Sequence, residues 1–333
     1  MTTPHPPLPD QPTPLAAEPI RDWRYHKTLW QDLAWHKIRR WRHQLGCWQE
    51  QRQPWLSTPI DKGDLKLSVC IITMNAADRI EPLIRHCKTF ADEIVIGVDS
   101  KTTDDTFSRC QAAGADVVFT IQNEAQTCNA GLEMLVARCS GDWILRLDDD
   151  EYVEPPLQAW FGNLMHQTRY THFKIPRLHL CHIDPLEWVN DSYLYPDYQM
   201  RFFKNDKNLM HFPGAVGHTS ITCNGKKGRL FGGNIVHLNL AINSRQKRQA
   251  KLEKYIRRHH GGWVHPINEY ALLFEEFNYN IEPYNHPDAT FCDLLASVVR
   301  DVRHQERQER QEQQERQPLA KHATTTTPEP TTV

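Results

Sequence analysis

The chain has 333 residues, a formal net charge of -2, 39% apolar residues and a mean hydropathy of -0.64. That length allows one sizeable domain with appendages, and the near-balanced charge excludes a global pull toward nucleic acid or anionic surfaces. No run reaches the roughly 18–20 consecutive apolar residues of a membrane span, and the start Met1-Thr2-Thr3-Pro4-His5 lacks the basic and apolar regions of a secretory signal.

Residues 1–20, rich in Pro with Thr and Gln, read as a disordered lead. Residues 21–60 form a different unit. Trp30, Leu33, Ala34, Ile38, Trp41, Leu45 and Trp48 recur at helical spacing, with Lys37, Arg39, Arg40 and Arg42 interleaved. This predicts a basic, Trp-rich amphipathic helix with two open destinations. Its apolar stripe docks on the main domain, which is the favoured reading, or it makes peripheral contact with an anionic membrane surface or a partner. Specific nucleic-acid binding is not expected.

From Leu65 onward, short apolar runs alternate with helix-like segments. Strands are predicted at Leu67–Thr73, Glu93–Val98, Ala115–Thr120 and Trp143–Leu147, and helices at Ala77–Phe90, Asp104–Ala113 and Gln126–Cys139. Such alternation argues for an α/β fold with a Rossmann-like, mostly parallel sheet and helices on both faces. Thr103 or Asp104 is the natural N-cap of the second helix. Beyond Asp150 the regularity lapses. Strands are predicted at Phe173–Leu178 and Gln199–Phe203, and C-terminal helices at Ser244–Arg258 and Asn268–Tyr279. The domain expectation is a catalytic unit over 65–243, a helical extension over 244–303 and a low-complexity Gln/Glu/Arg and Thr tail over 304–333. Nine scattered cysteines show no C-x-x-C pair or zinc spacing, which points to reduced thiols in a cytoplasmic protein.

Chemistry concentrates at predicted strand ends. Trp143-Ile144-Leu145-Arg146-Leu147 runs directly into Asp148-Asp149-Asp150-Glu151. Four consecutive carboxylates repel one another and are tolerated mainly in water or beside a cation. The carboxyl end of a buried parallel strand is where open α/β sheets bind ligands. Mg²⁺ or Mn²⁺ takes oxygen ligands and bridges one or two carboxylates to substrate phosphates. The first strand ends at Thr73-Met74-Asn75 and the second at Val98-Asp99-Ser100, on the same sheet edge. No G-x-G-x-x-G or G-x-x-x-x-G-K follows the first strand, so dinucleotide and P-loop sites lack their phosphate cradle.

These fragments, with Ser68–Asn75, Ala91–Ser100, Thr103–Thr106, Asn129-Ala130-Gly131 and Gly141–Glu151, resemble the family 2 glycosyltransferases of GT-A fold. Downstream, Tyr195–Phe203 and His237 look like the branch containing lipopolysaccharide-core glucosyltransferases. The resemblance implies an inverting transfer of a sugar from a nucleoside-diphosphate sugar to a hydroxyl of a glycan, glycolipid or other acceptor, with Mg²⁺ or Mn²⁺ as cofactor. It implies that Thr73, Asn75, Asp99 and Asn129 line the donor site. The planar fork of Arg201 has two open roles, binding the diphosphate or the acceptor, or forming a structural salt bridge. Asp148 and Asp150 form the D-x-D element, with Asp150, Asp148 and His237 as the metal set. Asp197 is the matching candidate for the base that activates the acceptor, with Asp191 and Asp184 of the same aromatic loop as competitors, and the chain shows Ala215-Val216-Gly217-His218-Thr219 where related sequences often carry a carboxylate. Trp188, Tyr193, Tyr195 and Tyr198 offer ring faces to a sugar or to the core. Two other classes remain: a nucleotidyltransferase, disfavoured by the glycine-free Met74–Arg79 segment, and a non-catalytic sugar-nucleotide-binding module.

Overall fold

The computed structural model describes residues 22–50, 58–122, 131–212, 221–258 and 271–322. Strands β1 (Leu67–Thr73), β2 (Glu93–Asp99), β3 (Val117–Ile121) and β4 (Trp143–Asp148) form a parallel sheet in the order β3-β2-β1-β4. Their alternation assigns each side chain a face. Val69, Ile71, Ile96, Leu145 and Leu147 pack into one core cluster, while Cys70, Val95 and Ile144 pack into another. Both faces are covered, which is why the strands read as continuous apolar runs.

Helix α2 (Ile80–Cys87) lays Ile80, Leu83, Ile84 and Cys87 on the first face, the side chains its spacing predicts. Helix α3 (Thr106–Ala112) adds Cys110 to the same cluster, and α4 (Leu132–Val136) covers the opposite face with Leu132, Leu135 and Val136. The fold class expected from the sequence is therefore the one the chain adopts. The N-cap of α3 differs: Asp105 holds that position without a side-chain cap bond. Asp104 instead accepts from the backbone N–H groups of both Thr106 and Ala77, tying the β2 exit to the β1 exit. Of the helix expected at Gln126–Cys139, residues 126–130 lie outside the described residues.

The second half extends this sheet with strands of mixed direction. It adds β5 (Glu151–Val153), α5 (Pro155–Ala159), α6 (Phe161–His166), β6 (His172–Ile183), β7 (Leu186–Val189) and β8 (Asp197–Lys204). A small pair, β9 (Met210–His211) and β10 (Thr222–Cys223), precedes β11 (Lys227–Arg229) and β12 (Ile235–His237). Strand β8 pairs antiparallel with both β4 and β6, and β12 inserts between β5 and β6. This register sets His237 opposite both Glu151 and His179, and Asp197 opposite Arg177. Residues from four strands thus converge beside the carboxyl end of β4.

The C-terminal part contains α7 (Asn239–Ile242), α8 (Arg245–Arg258), β13 (Ile281–Pro283) and α9 (Ala289–His322). Phe291, Leu295, Val298, Val299 and Val302 of α9 pack on the main core. The helix then continues through the Gln/Glu/Arg run without a break at 303. Of the helix expected at Asn268–Tyr279, residues 268–270 lie outside the described residues. Residues 271–272 are helical as expected, and after Leu273 a 3-10 turn takes over at Phe274–Glu276. Arg248 of α8 explains the interruption: its Nη1 donates to the Leu272 carbonyl at 2.6 Å and to Glu275 at 2.9 Å, taking an oxygen a continuing helix would use.

Helix α1 (Trp23–Glu50) docks on the second half; of the stripe read in the sequence Leu33 packs inward, while most of the rest faces out. Tyr25, His36 and His43 are buried, and Leu29 and Leu33 pack against the cluster around Tyr193 and Leu240. Arg40 donates to the Asn190 carbonyl at 2.9 Å and to its side-chain oxygen at 2.7 Å. His43 sits between the hydroxyls of Tyr198 (2.7 Å) and Tyr195 (3.0 Å), so these rings hold the helix. Trp30, Ile38, Trp41 and Leu45 remain exposed. None of the described helices is long and apolar enough to cross a membrane.

Two of the buried histidines make a stability prediction. Burial, aided by Arg40, pushes His43 down to about 4, and burial pushes His86 down to about 4. Unfolded histidine titrates near 6.5, so between these values the unfolded chain binds protons that the native state refuses. Stability from both groups is complete above pH ~6.5 and is lost as pH falls toward 4, on the order of 3 kcal/mol each at the limit. Melting temperatures should fall across that window, and His86→Gln should flatten the profile. A profile unchanged by that substitution would contradict the assignment.

Candidate functional site

Three parallel strands bring their carboxyl ends to one rim. Val98 pairs with Thr73 across β2 and β1, and Ile72 pairs with Asp148 across β1 and β4. Asp99 and Asp148 are therefore about two strand spacings apart, roughly 10 Å, with Thr73 between them. Asp99 is buried and its Oδ1 accepts from the backbone N–H of Lys101 at 2.8 Å. Asn75 adopts a left-handed conformation at φ 49°, and its Oδ1 accepts from the Thr103 N–H at 2.8 Å. Sharp turns at both strand ends hold these polar groups at the rim. Asn129 lies outside the described residues, as do residues 215–219.

The four-acid run avoids self-repulsion by sending each carboxylate to different partners. Asp148 accepts from Arg146 at 2.7 Å and Arg201 at 2.5 Å, with Arg177 at 3.8 Å. Asp149 turns back to Thr73 Oγ1 at 2.7 Å and to Arg79 at 3.2 Å. Asp150 faces His237 Nε2 at 3.2 Å. Glu151 is fully buried; it accepts from Arg177 at 2.8 Å, Arg201 at 2.5 Å and the Asp148 backbone N–H at 3.0 Å. The sequence-based expectation was that such a run is tolerated mainly in water or beside a cation, and the cations here are guanidiniums. Four arginines, Arg79, Arg146, Arg177 and Arg201, supply much of that positive charge.

The environments push neighbouring carboxyls apart. Burial opposes ionisation of Asp148, but Arg146, Arg201 and Arg177 outweigh it and hold the carboxyl well below the usual range. Burial likewise opposes ionisation of Asp150, and the facing His237 more than offsets it. Asp149 moves the other way, because burial and the Asp150 charge outweigh Arg79.

Behind Asp150 runs a chain of imidazoles. His237 Nδ1 lies 3.0 Å from His179 Nδ1, and His179 Nε2 lies 3.5 Å from Asp197 Oδ2. Burial pushes His179 down to about 4, so it carries one proton near neutrality. The acceptor-only carboxylate of Asp197 assigns that proton to Nε2, leaving Nδ1 to accept from His237 Nδ1–H. His237 then turns Nε2 toward Asp150. That nitrogen lies 3.2 Å from Asp150 Oδ2, within reach to donate to the carboxylate as N–H or to share a divalent ion with it as a lone pair.

No cluster of three or more His, Cys, Asp or Glu groups set to hold a metal occurs among the described residues. Asp150 and His237 nevertheless form a carboxylate–imidazole pair, which suits a hard divalent ion that completes its shell with water and substrate phosphates. Asp148 is a poorer ligand, since both its oxygens already accept from arginines.

Of the two expected bases, Asp197 accepts from Arg177 at 2.6 and 2.9 Å and from Gln199 at 2.7 Å. Burial opposes its ionisation, yet Arg177 and His179 hold it well below the carboxylate range, so it is a weak proton acceptor. Asp191 lies in the loop before β8, where its Oδ1 accepts from the Tyr193 N–H at 2.8 Å. Arg201 is 1% exposed and spends Nη2 on Asp148 and Glu151, which places it behind the acidic run. Tyr193, Tyr195 and Tyr198 pack under α1. Sequence reasoning missed His179, Arg146 and Arg177. The available signal was period-two spacing: Arg177 and His179 share one face of β6.

Residues 68–177 match the family model described as Glycosyl transferase family 2. A Rickettsia bellii (strain RML369-C) protein named as an uncharacterized glycosyltransferase is 35% identical over 116 residues, covering 34% of this chain and 38% of that protein. A Rickettsia felis (strain ATCC VR-1525 / URRWXCal2) protein of the same name is 34% identical over 116 residues, covering 34% of this chain and 40% of its own. The chain thus spans about two fifths of the length of these curated relatives. Among solved structures, glucosyl-3-phosphoglycerate synthase from Mycobacterium tuberculosis, in complex with Mn²⁺, uridine diphosphate and glucosyl-3-phosphoglycerate, is 22% identical. That likeness covers 35% of this chain and 45% of the other, with a TM-score of 0.29. The sequence matches support a family 2 glycosyltransferase assignment for the segment that carries Thr73, Asp99, Asp148 and Asp150.

Proposed function

We propose that the chain is a metal-dependent, inverting glycosyltransferase that moves a sugar from a nucleoside-diphosphate sugar to an acceptor hydroxyl. The observation that carries this reading is the shared rim of Asp99, Thr73 and Asp148, beside the Asp150–His237 pair. It offers polar groups for a nucleoside at one end and a divalent-cation site for a diphosphate at the other. Asp99, Thr73 and Asn75 line the nucleoside side, with Asn129 as a further donor contact. Asp148, fixed by its arginines, orients the ribose–phosphate junction, and Arg201 acts on the donor through Asp148.

Asp150 and His237 would hold Mg²⁺ or Mn²⁺, which when bound offsets the charge building on the departing diphosphate. The acceptor oxygen attacks C1 of the sugar as the C1–oxygen bond to the diphosphate breaks, inverting that carbon. The acceptor proton passes to a carboxylate. Asp191 takes that role better than Asp197, whose oxygens are committed to Arg177, Gln199 and His179. Asp197 instead sets the His179 tautomer, and through it the direction of His237.

Release of nucleoside diphosphate from a set of UDP-, GDP- and dTDP-sugars, measured with Mn²⁺ and then with chelator, tests the reading. One donor should be turned over with Mn²⁺ and spared with chelator. Asp191→Asn should lower kcat while leaving nucleotide affinity intact, whereas Asp197→Asn should weaken Mn²⁺-dependent nucleotide binding. Turnover of no donor, or turnover indifferent to chelator, would overturn the proposal.

A further inference from the structure

We propose that the outward face of α1 is a docking surface for an anionic lipid bilayer. The helix has two faces with opposite commitments. Its inner face is closed by specific polar contacts: Arg40 on Asn190, His43 between Tyr195 and Tyr198, and Cys47 Sγ on the Phe231 carbonyl at 3.1 Å. These contacts fix the rotation of the helix. The outer face then presents Trp23, Trp30 and Trp41 at 70%, 74% and 62% exposure, flanked by Ile38 and Leu45. Residues 23, 30 and 41 project within about 20° of one another at 100° per residue. At 1.5 Å per residue, the line they form is roughly 27 Å long. A water-facing helix gains nothing from a straight row of indoles, and packing does not require them because the opposite face makes the contacts.

Charge selects the occupant. The sequence of α1 holds six basic residues, Arg24, Lys27, Lys37, Arg39, Arg40 and Arg42, against two acids, Asp32 and Glu50. Arg24, Lys27, Lys37 and Arg42 are exposed around the Trp row, whereas Asp32 is half-buried. Lys27 lies 5.9 Å from the Trp23 ring centroid and Arg42 5.9 Å from that of Trp35, so cationic ends ride at the level of the indoles. Indoles at headgroup depth with cations beside them match the interface of an anionic bilayer. A second copy of the chain fits poorly, because a self-complementary contact would bring the same cations against themselves. Crossing the bilayer is not the mode, since α1 is too polar to span it. The helix lies along the surface, with the loop carrying Asp191 and strand β8 held on its other side.

Co-sedimentation of the full-length chain with phosphatidylcholine vesicles, with and without phosphatidylglycerol, tests this surface separately from glycosyl transfer. The wild type should sediment with phosphatidylglycerol-containing vesicles, release at high salt and stay in solution with phosphatidylcholine alone. The triple variant Trp23→Ala, Trp30→Ala, Trp41→Ala should bind at least tenfold more weakly at an unchanged melting temperature. Lys27→Glu, Lys37→Glu, Arg42→Glu should bind as weakly. Vesicle binding unchanged in both variants, absence of binding to anionic vesicles, or a wild-type dimer that the Trp variant converts to monomer would each overturn the proposal. So would a fall in melting temperature for the Trp variant, which would make the face a packing surface.

Discussion

Replacing Asp150 by alanine is expected to lower sugar transfer on the order of a hundred- to a thousand-fold while leaving the fold in place. Among the described residues the carboxylate pairs with His237 at the rim, whereas its neighbours Asp148 and Glu151 carry the arginine network. Removing it therefore deletes one of two groups suited to a divalent ion without stranding a buried guanidinium. Mn²⁺-dependent nucleotide binding should weaken together with kcat, and the melting temperature should stay close to that of the wild type. Asp150→Ala with unchanged Mn²⁺-dependent turnover would remove the metal role from this residue.

Glu151→Ala is expected to act mainly on stability. Glu151 is 0% exposed and accepts from Arg177, Arg201 and the Asp148 N–H, so it ties β4, β6 and β8 together. Arg201 is itself 1% exposed, and loss of its partner leaves a buried charge undercompensated. Breaking a buried pair in this way costs about 3–5 kcal/mol. In a chain of this size that corresponds to a fall in melting temperature on the order of 10 °C. Glu151→Gln keeps the shape and part of the hydrogen bonding, and should cost less. Calorimetry on the two variants decides the point: equal melting temperatures for wild type and Glu151→Ala would show that the arginines find other partners. The contrast with Asp150→Ala separates adjacent acids into one that acts on the reaction and one that holds its frame.

Strand β1 occupies Leu67–Thr73, the bounds read from the sequence, because a strand buried on both faces must be apolar throughout. The positions of Asp99 and Asp148 at one edge follow from the same reasoning, since parallel βα units place every strand's carboxyl end on one side. The partners of the acids were not legible. Period-two spacing places Arg177 on one face of β6, but Arg146, Arg177 and Arg201 lie on β4, β6 and β8, and the antiparallel pairings that bring them together are not written in any one strand's sequence. His179 was hidden for the same reason: its role depends on β12 inserting beside β6, which sets it opposite His237. Helix α1 gives the converse lesson. Its amphipathic pattern was plain, but the pattern named the outward face, because inner contacts made by His43, Arg40 and Tyr25 have no hydrophobic signature.

On the proposed function, the β2–β1–β4 rim, with Asp150 and His237, binds a nucleoside diphosphate with a divalent ion. Thermal-shift titration of the full-length chain with UDP, GDP, dTDP and CMP, each with and without Mn²⁺, tests it most directly. A ligand at 100 times its Kd stabilises the native state by about 2.7 kcal/mol, readily seen as a raised melting temperature. One nucleotide should stabilise the wild type in the presence of Mn²⁺, much less without it, and little in Asp150→Ala. No stabilisation by any nucleotide, or an equal shift in wild type and Asp150→Ala, would contradict the account.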